Sequence, residues 1–167
     1  MQKVNQLYGK DIIHQSTGNR IATVRDVVLD ADSRHVVALL ADEQNLLNTS
    51  YVLRWSAVAV VGDVIIINSV LPLVAVSEDQ EVADLIGQTN RITGTTIISD
   101  GGQQIGTIGD LFIDDQGTIV GYEVKQGFFT DLRGRKFLPV NNVHTVGKDA
   151  LIATEAELGT VKEAKNL

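Results

Sequence analysis

The chain repeats itself, and this repeat is the feature that most restricts how it can fold. Residues 18–30 match residues 102–114 at a constant offset of 84, with Gly, Ile, Thr and Asp at corresponding places. Later in each copy, residues 58–62 correspond to residues 143–147. Each copy is about 70 residues long, which is enough for a small domain. The sequence therefore predicts two similar modules in tandem.

The hydrophobic pattern within each copy has the period of a β-strand. Residues 21–26 and 105–110 alternate with a period of two, and the other apolar runs are short and rich in β-branched residues. Gly, Asp and Asn clusters separate these runs, as in antiparallel hairpins. There is no room for crossover helices, and about six strands per copy favour a small closed barrel without exposed sheet edges. We therefore predict an all-β chain of two small antiparallel six-stranded β-barrels.

Helix is predicted at the junction of the two copies. Ser77 followed by Gln80 has the spacing of a capping box, and Val82, Leu85 and Ile86 share one helical face. We expect a first barrel at 1–76, a short linker helix at 77–84, a second barrel at 85–154 and a tail at 155–167. The tail carries few large apolar side chains, so we expect it to be a marginal helix or disordered.

The repeated pattern resembles a known family. The spacing Gly-x-x-Ile-x-x-Val-x-Asp-x-x-x-Asp from Gly18 to Asp30, and its counterpart from Gly102 to Asp114, resemble the PRC-barrel domain. This is the small barrel of the cytoplasmic part of the photosynthetic reaction centre H subunit and of the C-terminal half of a bacterial ribosome maturation factor. The segment 135–143 resembles the family's closing strand, with its basic residues and proline. The resemblance implies tandem PRC-type barrels, and it implies docking surfaces more than any one activity.

The residues of the repeated pattern have plain structural roles. A hairpin turn needs a positive φ, which glycine adopts without strain. Short aspartates accept hydrogen bonds from backbone amides at strand ends and turns. We assign the first role to Gly18 and Gly102, and the second to Asp26, Asp30, Asp110 and Asp114.

Composition and motifs disfavour several kinds of chemistry. The formal net charge of −7 disfavours binding to a phosphate backbone. The chain has no cysteine and no Gly-x-Ser-x-Gly elbow, and its glycine-rich stretch 101–106 leads into a strand instead of the helix N-terminus that a phosphate cradle needs. His14, His35 and His144 lie far apart, so a zinc site is not expected. We expect no enzyme, cofactor, metal or direct nucleic-acid binding, although a triad assembled only by the fold stays open.

Both copies carry an apolar doublet in the same connection. Leu46 and Leu47 stand in the first copy and Phe128 and Phe129 in the second, each flanked by polar or turn residues. Exposed aromatics beside Arg or Lys are typical of an interface anchor, or of a contact with an anionic membrane surface. The doublets could instead plug the barrel ends or seal one barrel against the other. The basic residues that follow the second doublet, and that we include in the partner-binding site, are Arg133, Arg135 and Lys136.

These features favour an adaptor over an enzyme. We expect a cytoplasmic scaffold that binds a protein partner in the assembly or regulation of a larger complex. By resemblance, that complex could be a photosynthetic membrane complex, with the chain at its periphery. The alternatives are a ribosome- or RNA-maturation factor, and a small-molecule or metal-binding enzyme. Because no apolar run reaches the roughly 18 residues of a membrane span, we expect no transmembrane segment. Each core is small, so we also expect the barrels to pack together or form a homodimer.

Overall fold

The structure is a computed structural model that describes residues 1–30, 32, 34–42, 50–68, 73–89, 92–126, 136–154 and 159–160. The chain divides into two compact units, each built mainly from one of two β-sheets. The first unit consists of Val4–Thr89 together with Asp115–Thr118. The second unit consists of Met1–Lys3, Asn90–Asp114 and Ile119–Leu167. Each unit therefore includes a short segment from the other half of the sequence.

The first strand, β1 (Gln2–Lys3), belongs to the second unit, and the next seven strands form the sheet of the first unit. They are β2 (Asp11–His14), β3 (Arg20–Asp30), β4 (His35–Asp42), β5 (Ser50–Arg54), β6 (Val58–Val61), β7 (Ile65–Ile67) and β8 (Val74–Ala75). Their order in the sheet is β6-β7-β2-β3-β4-β5-β8. The buried side chains of this sheet are aliphatic, as the sequence pattern requires of a barrel interior.

The sheet of the second unit repeats that arrangement strand for strand. Its strands are β9 (Thr96–Ser99), β10 (Gln104–Ile113), β11 (Ile119–Lys125), β12 (Lys136–Pro139), β13 (Val143–Val146), β14 (Ala150–Ala153) and β15 (Gly159–Thr160). The order is β13-β14-β9-β10-β11-β12-β15, and β1 pairs with β10 beside this path. The prediction of an all-β chain of two similar barrel-like modules is confirmed, although the sheets comprise seven and eight strands within the described residues where we expected six.

One pair of strands in each sheet is parallel, which corrects the expectation of a purely antiparallel barrel. These pairs are β2 with β7 and β9 with β14. The cause is a 3-10 turn, at Trp55–Ala57 in the first sheet and at Val140–Asn142 in the second. The turn does not close a hairpin: it carries the chain from β5 to β6, or from β12 to β13, at the opposite end of the strand order. The hairpin that follows is β6–β7 in the first sheet and β13–β14 in the second. Its second strand therefore lies beside the first strand of the copy, and the two strands run in the same direction.

The helix is placed differently from the prediction. It forms α1 (Gln80–Thr89) instead of 77–84, and a 3-10 turn at Val76–Glu78 precedes it. The amide of Val82 donates to the carboxylate of Asp79 at 3.2 Å, so Asp79 caps the helix, and not Ser77 as expected. Leu85 and Ile86 pack on the buried cluster that β3, β4 and β5 share with Val82. The helix is thus part of the first unit, where it covers one face of the sheet.

The C-terminal tail forms part of the second sheet. The tail, expected to be a marginal helix or disordered, contributes β15, which pairs with Lys136 and Phe137 of β12; its other residues lie outside the described ranges. No helix within those ranges is both long enough and apolar enough to cross a bilayer.

Candidate functional site

Most of the predicted partner-binding residues lie outside the described residues. These are Leu46, Leu47, Phe128, Phe129, Arg133 and Arg135. Lys136 is described: it is half-buried and begins β12. The structure therefore characterises the strands that hold the two apolar doublets, and not the doublets themselves.

Those strands show that the two doublets occupy equivalent connections. In the first unit β4 pairs with β5, and Asp42 lies opposite Ser50 at the end of the ladder. In the second unit β11 pairs with β12, and Val124 lies opposite Lys136. Both connections thus join neighbouring antiparallel strands at the same end of the repeat. We call these ladder ends the first and second hairpin base.

The two hairpin bases carry opposite charges at equivalent positions. Asp42 lies opposite Thr23 of β3, and Lys125 lies opposite Thr107, the repeat counterpart of Thr23. The carboxylate of Asp42 lies 3.8 Å from Nε of Arg25. A carboxylate in the first copy is therefore replaced by an ammonium group in the second.

The partner of the charge also changes between the copies. The counterpart of Arg25 in the second copy is Gly109, which has no side chain to pair with position 125. A Cβ at Gly109 would come within 2.9 Å of Cγ of Lys125. Glycine therefore lets the aliphatic part of Lys125 lie on the strand, while Lys125 as a whole stays exposed. The second hairpin base therefore presents Lys125 and Lys136. The first presents the ion pair of Asp42 and Arg25.

The glycines of the repeated pattern have the predicted conformation. Gly18 has φ of 67° and Gly102 has φ of 81°. Both follow the first strand of their copy and precede the long second strand. The prediction that they provide a positive φ at a hairpin is confirmed.

The aspartates of the pattern accept backbone amides as predicted, but two of them do so inside a strand. Asp26 accepts the amide of Val27 at 2.8 Å, and Asp110 accepts that of Leu111 at 2.8 Å. Each lies at a register shift, in β3 and in β10 respectively, so each carboxylate satisfies an amide at a β-bulge. The expected location at a strand end or turn is wrong for this pair.

The other two aspartates follow the long strands. Asp30 ends β3 and accepts the amide of Asp32 at 3.0 Å, an Asx-turn, as predicted. Asp114 follows β10 directly and is half-buried. Three of the four aspartates, Asp26, Asp110 and Asp30, therefore accept a backbone amide, and Asp26 also accepts the hydroxyl of Tyr8 at 3.2 Å.

A buried charged cluster in the second unit was missed by the sequence analysis. Nζ of Lys3 in β1 lies 2.8 Å from Oε1 of Glu123 in β11, and both side chains are mostly buried. The same Nζ lies 5.5 Å from the ring centroid of Phe112. Phe112 and Phe137 contact edge to face, with centroids 5.3 Å apart and planes at 71°. We call these four residues the ammonium cluster.

The repeat contained a signal that could have revealed this cluster. The first copy has aliphatic residues at the equivalent buried positions of the sheet, namely Leu40 where Glu123 stands. A carboxylate at 4% exposure in the middle of an apolar strand needs a partner. Its partner is 120 residues away along the chain, which is why local patterns did not identify it.

A second charged group fixes α1 in the first unit. The guanidinium of Arg54 donates to both carboxylate oxygens of Asp79, at 2.8 and 2.6 Å, and Nη1 lies 2.8 Å from Glu81. Burial by itself lowers the pKa of Arg54, but the hydrogen bonds and charges of the two carboxylates outweigh it, and the pKa is raised above its ordinary value. The group is therefore cationic at every physiological pH.

Trp55 is a packing residue. It is 6% exposed, and Gly117, in the same unit, lies so near that a Cβ there would come within 2.8 Å of the indole Cδ1. Val36 donates its amide to the carbonyl of Gly117 at 2.8 Å. The indole is thus covered by backbone, which leaves no open face for a ligand to stack on.

Within the described ranges, no three His, Asp or Glu side chains are arranged to hold a metal ion. His14 contacts Ser16 at 3.1 Å, and His144 contacts Thr154 at 3.0 Å.

Comparison with known proteins identifies one family. The family model described as PRC-barrel domain matches the chain twice, over residues 1–71 and 88–163. These two matches coincide with the two copies of the repeat and together cover most of the chain. No curated protein matches it.

Proposed function

The chain belongs to the PRC-barrel domain family, and from this premise we propose that it is a non-catalytic adaptor that binds protein partners through the two hairpin bases and the connections they hold. The site consists of the doublets Leu46–Leu47 and Phe128–Phe129, together with the charged residues beside them. The second connection adds Arg133, Arg135 and Lys136 to this surface.

The observation that supports this proposal is the charge reversal between Asp42 and Lys125. Two identical barrels would present the same surface twice, whereas a carboxylate paired with Arg25 in one copy and an exposed lysine in the other make two different surfaces. Complementary charge selects partners and excludes like-charged ones. A duplicated fold with diverged surfaces can hold two different partners, or two regions of one partner.

The basic hairpin base favours an acidic partner. The chain as a whole carries a net charge of −7, so Lys125 and Lys136, with Arg133 and Arg135 between them in sequence, stand out as a local positive region. Beside these charges, Phe128 and Phe129 have the character of interface anchors. We place the protein in the cytoplasm, at the periphery of a membrane complex, and by family likeness a photosynthetic complex is our first candidate.

Affinity capture with matched variants tests the proposal. Immobilised full-length protein is compared with Phe128→Ser/Phe129→Ser, with Leu46→Ser/Leu47→Ser and with Lys125→Asp, using extract of the native cell and quantitative mass spectrometry. A partner that binds through the second connection is lost with the phenylalanine variant and with Lys125→Asp, and is retained by the leucine variant. Chemical cross-links from that partner to Lys125 or Lys136 are also expected. Equal recovery by all four proteins would remove both connections from the binding site.

RNA binding is the competing function that the same basic residues could serve. Labelled structured RNA is titrated with the full chain at low salt. An affinity that falls steeply with salt and is reduced by Lys125→Asp would favour an RNA-maturation role over the adaptor. Absence of binding at low salt leaves the protein partner as the ligand.

A further inference from the structure

β1 sits on the second unit as a very short added strand. Its register pairs are Gln2 with Ile113 and Lys3 with Phe112, so two residues hold it to the edge of β10. The side chain of Lys3 continues inward to the carboxylate of Glu123, and its Nζ also faces the ring of Phe112. Backbone pairing and one deeply inserted ammonium group together fix the segment.

The chemistry of the ammonium cluster is that of a binding site for a cation. A carboxylate supplies the charge-assisted hydrogen bond, and an aromatic ring within about 6 Å adds a cation–π attraction. The ring of Phe137 contacts Phe112 edge to face and holds it in place. Such a site recognises an alkylammonium group carried on a flexible apolar stem.

The barrel itself does not require this charge. At the equivalent positions the first unit has Val28, Leu40 and Val52, and α1 covers them with Val82. The buried centre of that face is filled by aliphatic side chains, while the charged contacts of α1 with Arg54 lie at its partly exposed margin. A buried ion pair is often no more stabilising than an apolar replacement. The second copy thus carries a costly group at a place where the first copy shows that leucine is sufficient.

We propose that the ammonium cluster is a binding site for an extended, lysine-bearing segment of a partner protein, and that β1 occupies it within the free chain. The partner would add as a strand to the edge of β10, and its lysine would replace Lys3 against Glu123 and Phe112. This site is separate from the hairpin bases, so it does not depend on the function proposed above. Because β1 competes from within the same molecule, it lowers the apparent affinity for the partner segment.

The test uses the full chain and a peptide that copies its first five residues, acetyl-Met-Gln-Lys-Val-Asn-amide. Calorimetric titration compares the wild type with Lys3→Ala, in which the internal ammonium group is absent. We expect Lys3→Ala to bind the peptide about tenfold more tightly or better, since its β1 keeps only the backbone pairing with β10 and competes less well for the site. The same peptide with norleucine in place of lysine should bind at least about tenfold more weakly. Lys3→Ala/Glu123→Leu, with the leucine of the first copy, should not bind.

Lys10→Ala is the matched control, because Lys10 is also an N-terminal lysine but bonds to the carbonyls of Gly62 and Asp63 in the first unit. It should bind the peptide as weakly as the wild type. The proposal is overturned if folded Lys3→Ala fails to bind, or if it binds the lysine and norleucine peptides alike.

A measurement on the wild type keeps the proposal testable if Lys3→Ala does not fold. Amide hydrogen exchange should show that the amides joining β1 to β10 open locally, about 100-fold faster or more than those joining β10 to β11. Equal exchange rates for the two sets would mean that β1 leaves only when the unit unfolds. A partner strand could then not displace it, and the proposal would be wrong.

Discussion

The recurring aspartate of the repeat acts at the scale of a single hydrogen bond. Asp26 and Asp110 stand where the long strand of each copy gains an extra residue, and each accepts the amide that follows it. A bulge frees one backbone group from the ladder, and a buried amide without an acceptor is costly. Aspartate and asparagine have side chains short enough to bring an acceptor oxygen to the amide of the next residue. This explains why aspartate recurs at this position in both copies.

Replacing these aspartates should destabilise the chain unequally. Asp110 is 4% exposed and Asp26 is half-buried, so we expect Asp110→Ala to lower the free energy of unfolding by about 2–3 kcal/mol and Asp26→Ala by about 1 kcal/mol. Urea denaturation measures both. Asp26→Asn keeps an acceptor oxygen and should retain most of the stability. If it costs as much as alanine, the bond to Val27 is not the reason for the residue.

Gly121 is needed because of its neighbour and not because of its backbone angles. A Cβ there would overlap the ring of Phe137 and come within 2.7 Å of the carbonyl oxygen of Leu138. We expect Gly121→Ala to cost about 1–3 kcal/mol. Gly62→Ala is the control, since its Cβ would have no neighbour nearer than 3.9 Å.

The destabilisation by Gly121→Ala should be reduced when Phe137 is made smaller. The first copy has this combination, with Ala38 at the position of Gly121 and Val52 at that of Phe137. The double variant Gly121→Ala/Phe137→Val should therefore lose less free energy of unfolding than the losses of the two single variants added together. Additive costs in urea denaturation would mean that the two positions are not in contact.

At the scale of elements, the two copies close the same face of the sheet with different pieces of chain. The first unit uses α1, which follows β8 and packs on Val28, Leu40 and Val52. The second unit uses β1 and the ammonium cluster at the equivalent strands. The sheet is thus the constant part of the repeat, and the cover is the variable part.

The contacts of Arg54 and Asp79 should decide how well α1 stays on its sheet. Asp79 both caps the helix and pairs with Arg54, so Asp79→Ala should cost about 1–2 kcal/mol. Arg54 is 35% exposed, and solvent screens its ion pairs, so Arg54→Met should cost about 1 kcal/mol or less. Thermal unfolding and amide exchange within α1 measure both effects.

The pH dependence of this contact follows from the pKa of Arg54. Since that pKa is raised in the folded state, the contribution of the arginine is complete below its unfolded value and is lost only as the pH rises through the folded one. Arg54→Met should therefore lower stability equally at pH 6 and pH 9. If the stability difference between Arg54→Met and the wild type disappeared between pH 6 and pH 9, the raised pKa of Arg54 would be contradicted.

At the scale of the whole molecule, neither unit is a continuous piece of sequence. The first includes Asp115–Thr118, whose Gly117 covers Trp55, and the second includes Met1–Lys3, whose lysine pairs with Glu123. The point between the repeats is therefore not a boundary at which the units separate intact.

Cutting the chain at that point should weaken both halves. The fragment 90–167 keeps Glu123 but loses Lys3, and removal of one partner of a buried ion pair costs about 3–5 kcal/mol. The fragment 1–89 loses the backbone that covers Trp55. Each fragment should unfold at lower urea concentration than the full chain, and equimolar mixing should recover part of the loss. A fragment that is monomeric and as stable as the whole would disprove this.

The sequence by itself determined the two-fold repeat of a small all-β barrel and the places of its turn glycines. A period of two, turn residues such as Gly18 and Gly102, and a constant offset are local signals, and local signals are sufficient to specify strands and hairpins. The local signals also indicated that Asp26 and Asp110 accept backbone amides. They did not indicate that these amides lie at β-bulges inside the long strands.

Only the tertiary structure decided what closes the equivalent face of each sheet. α1 lies on the first sheet instead of linking the repeats, because the apolar face of a short helix is more stable against β3, β4 and β5 than in water. Lys3 and Glu123 meet across 120 residues. No pattern within either copy encodes that contact, since the energy that makes it favourable arises only when β1 and β11 share one buried environment.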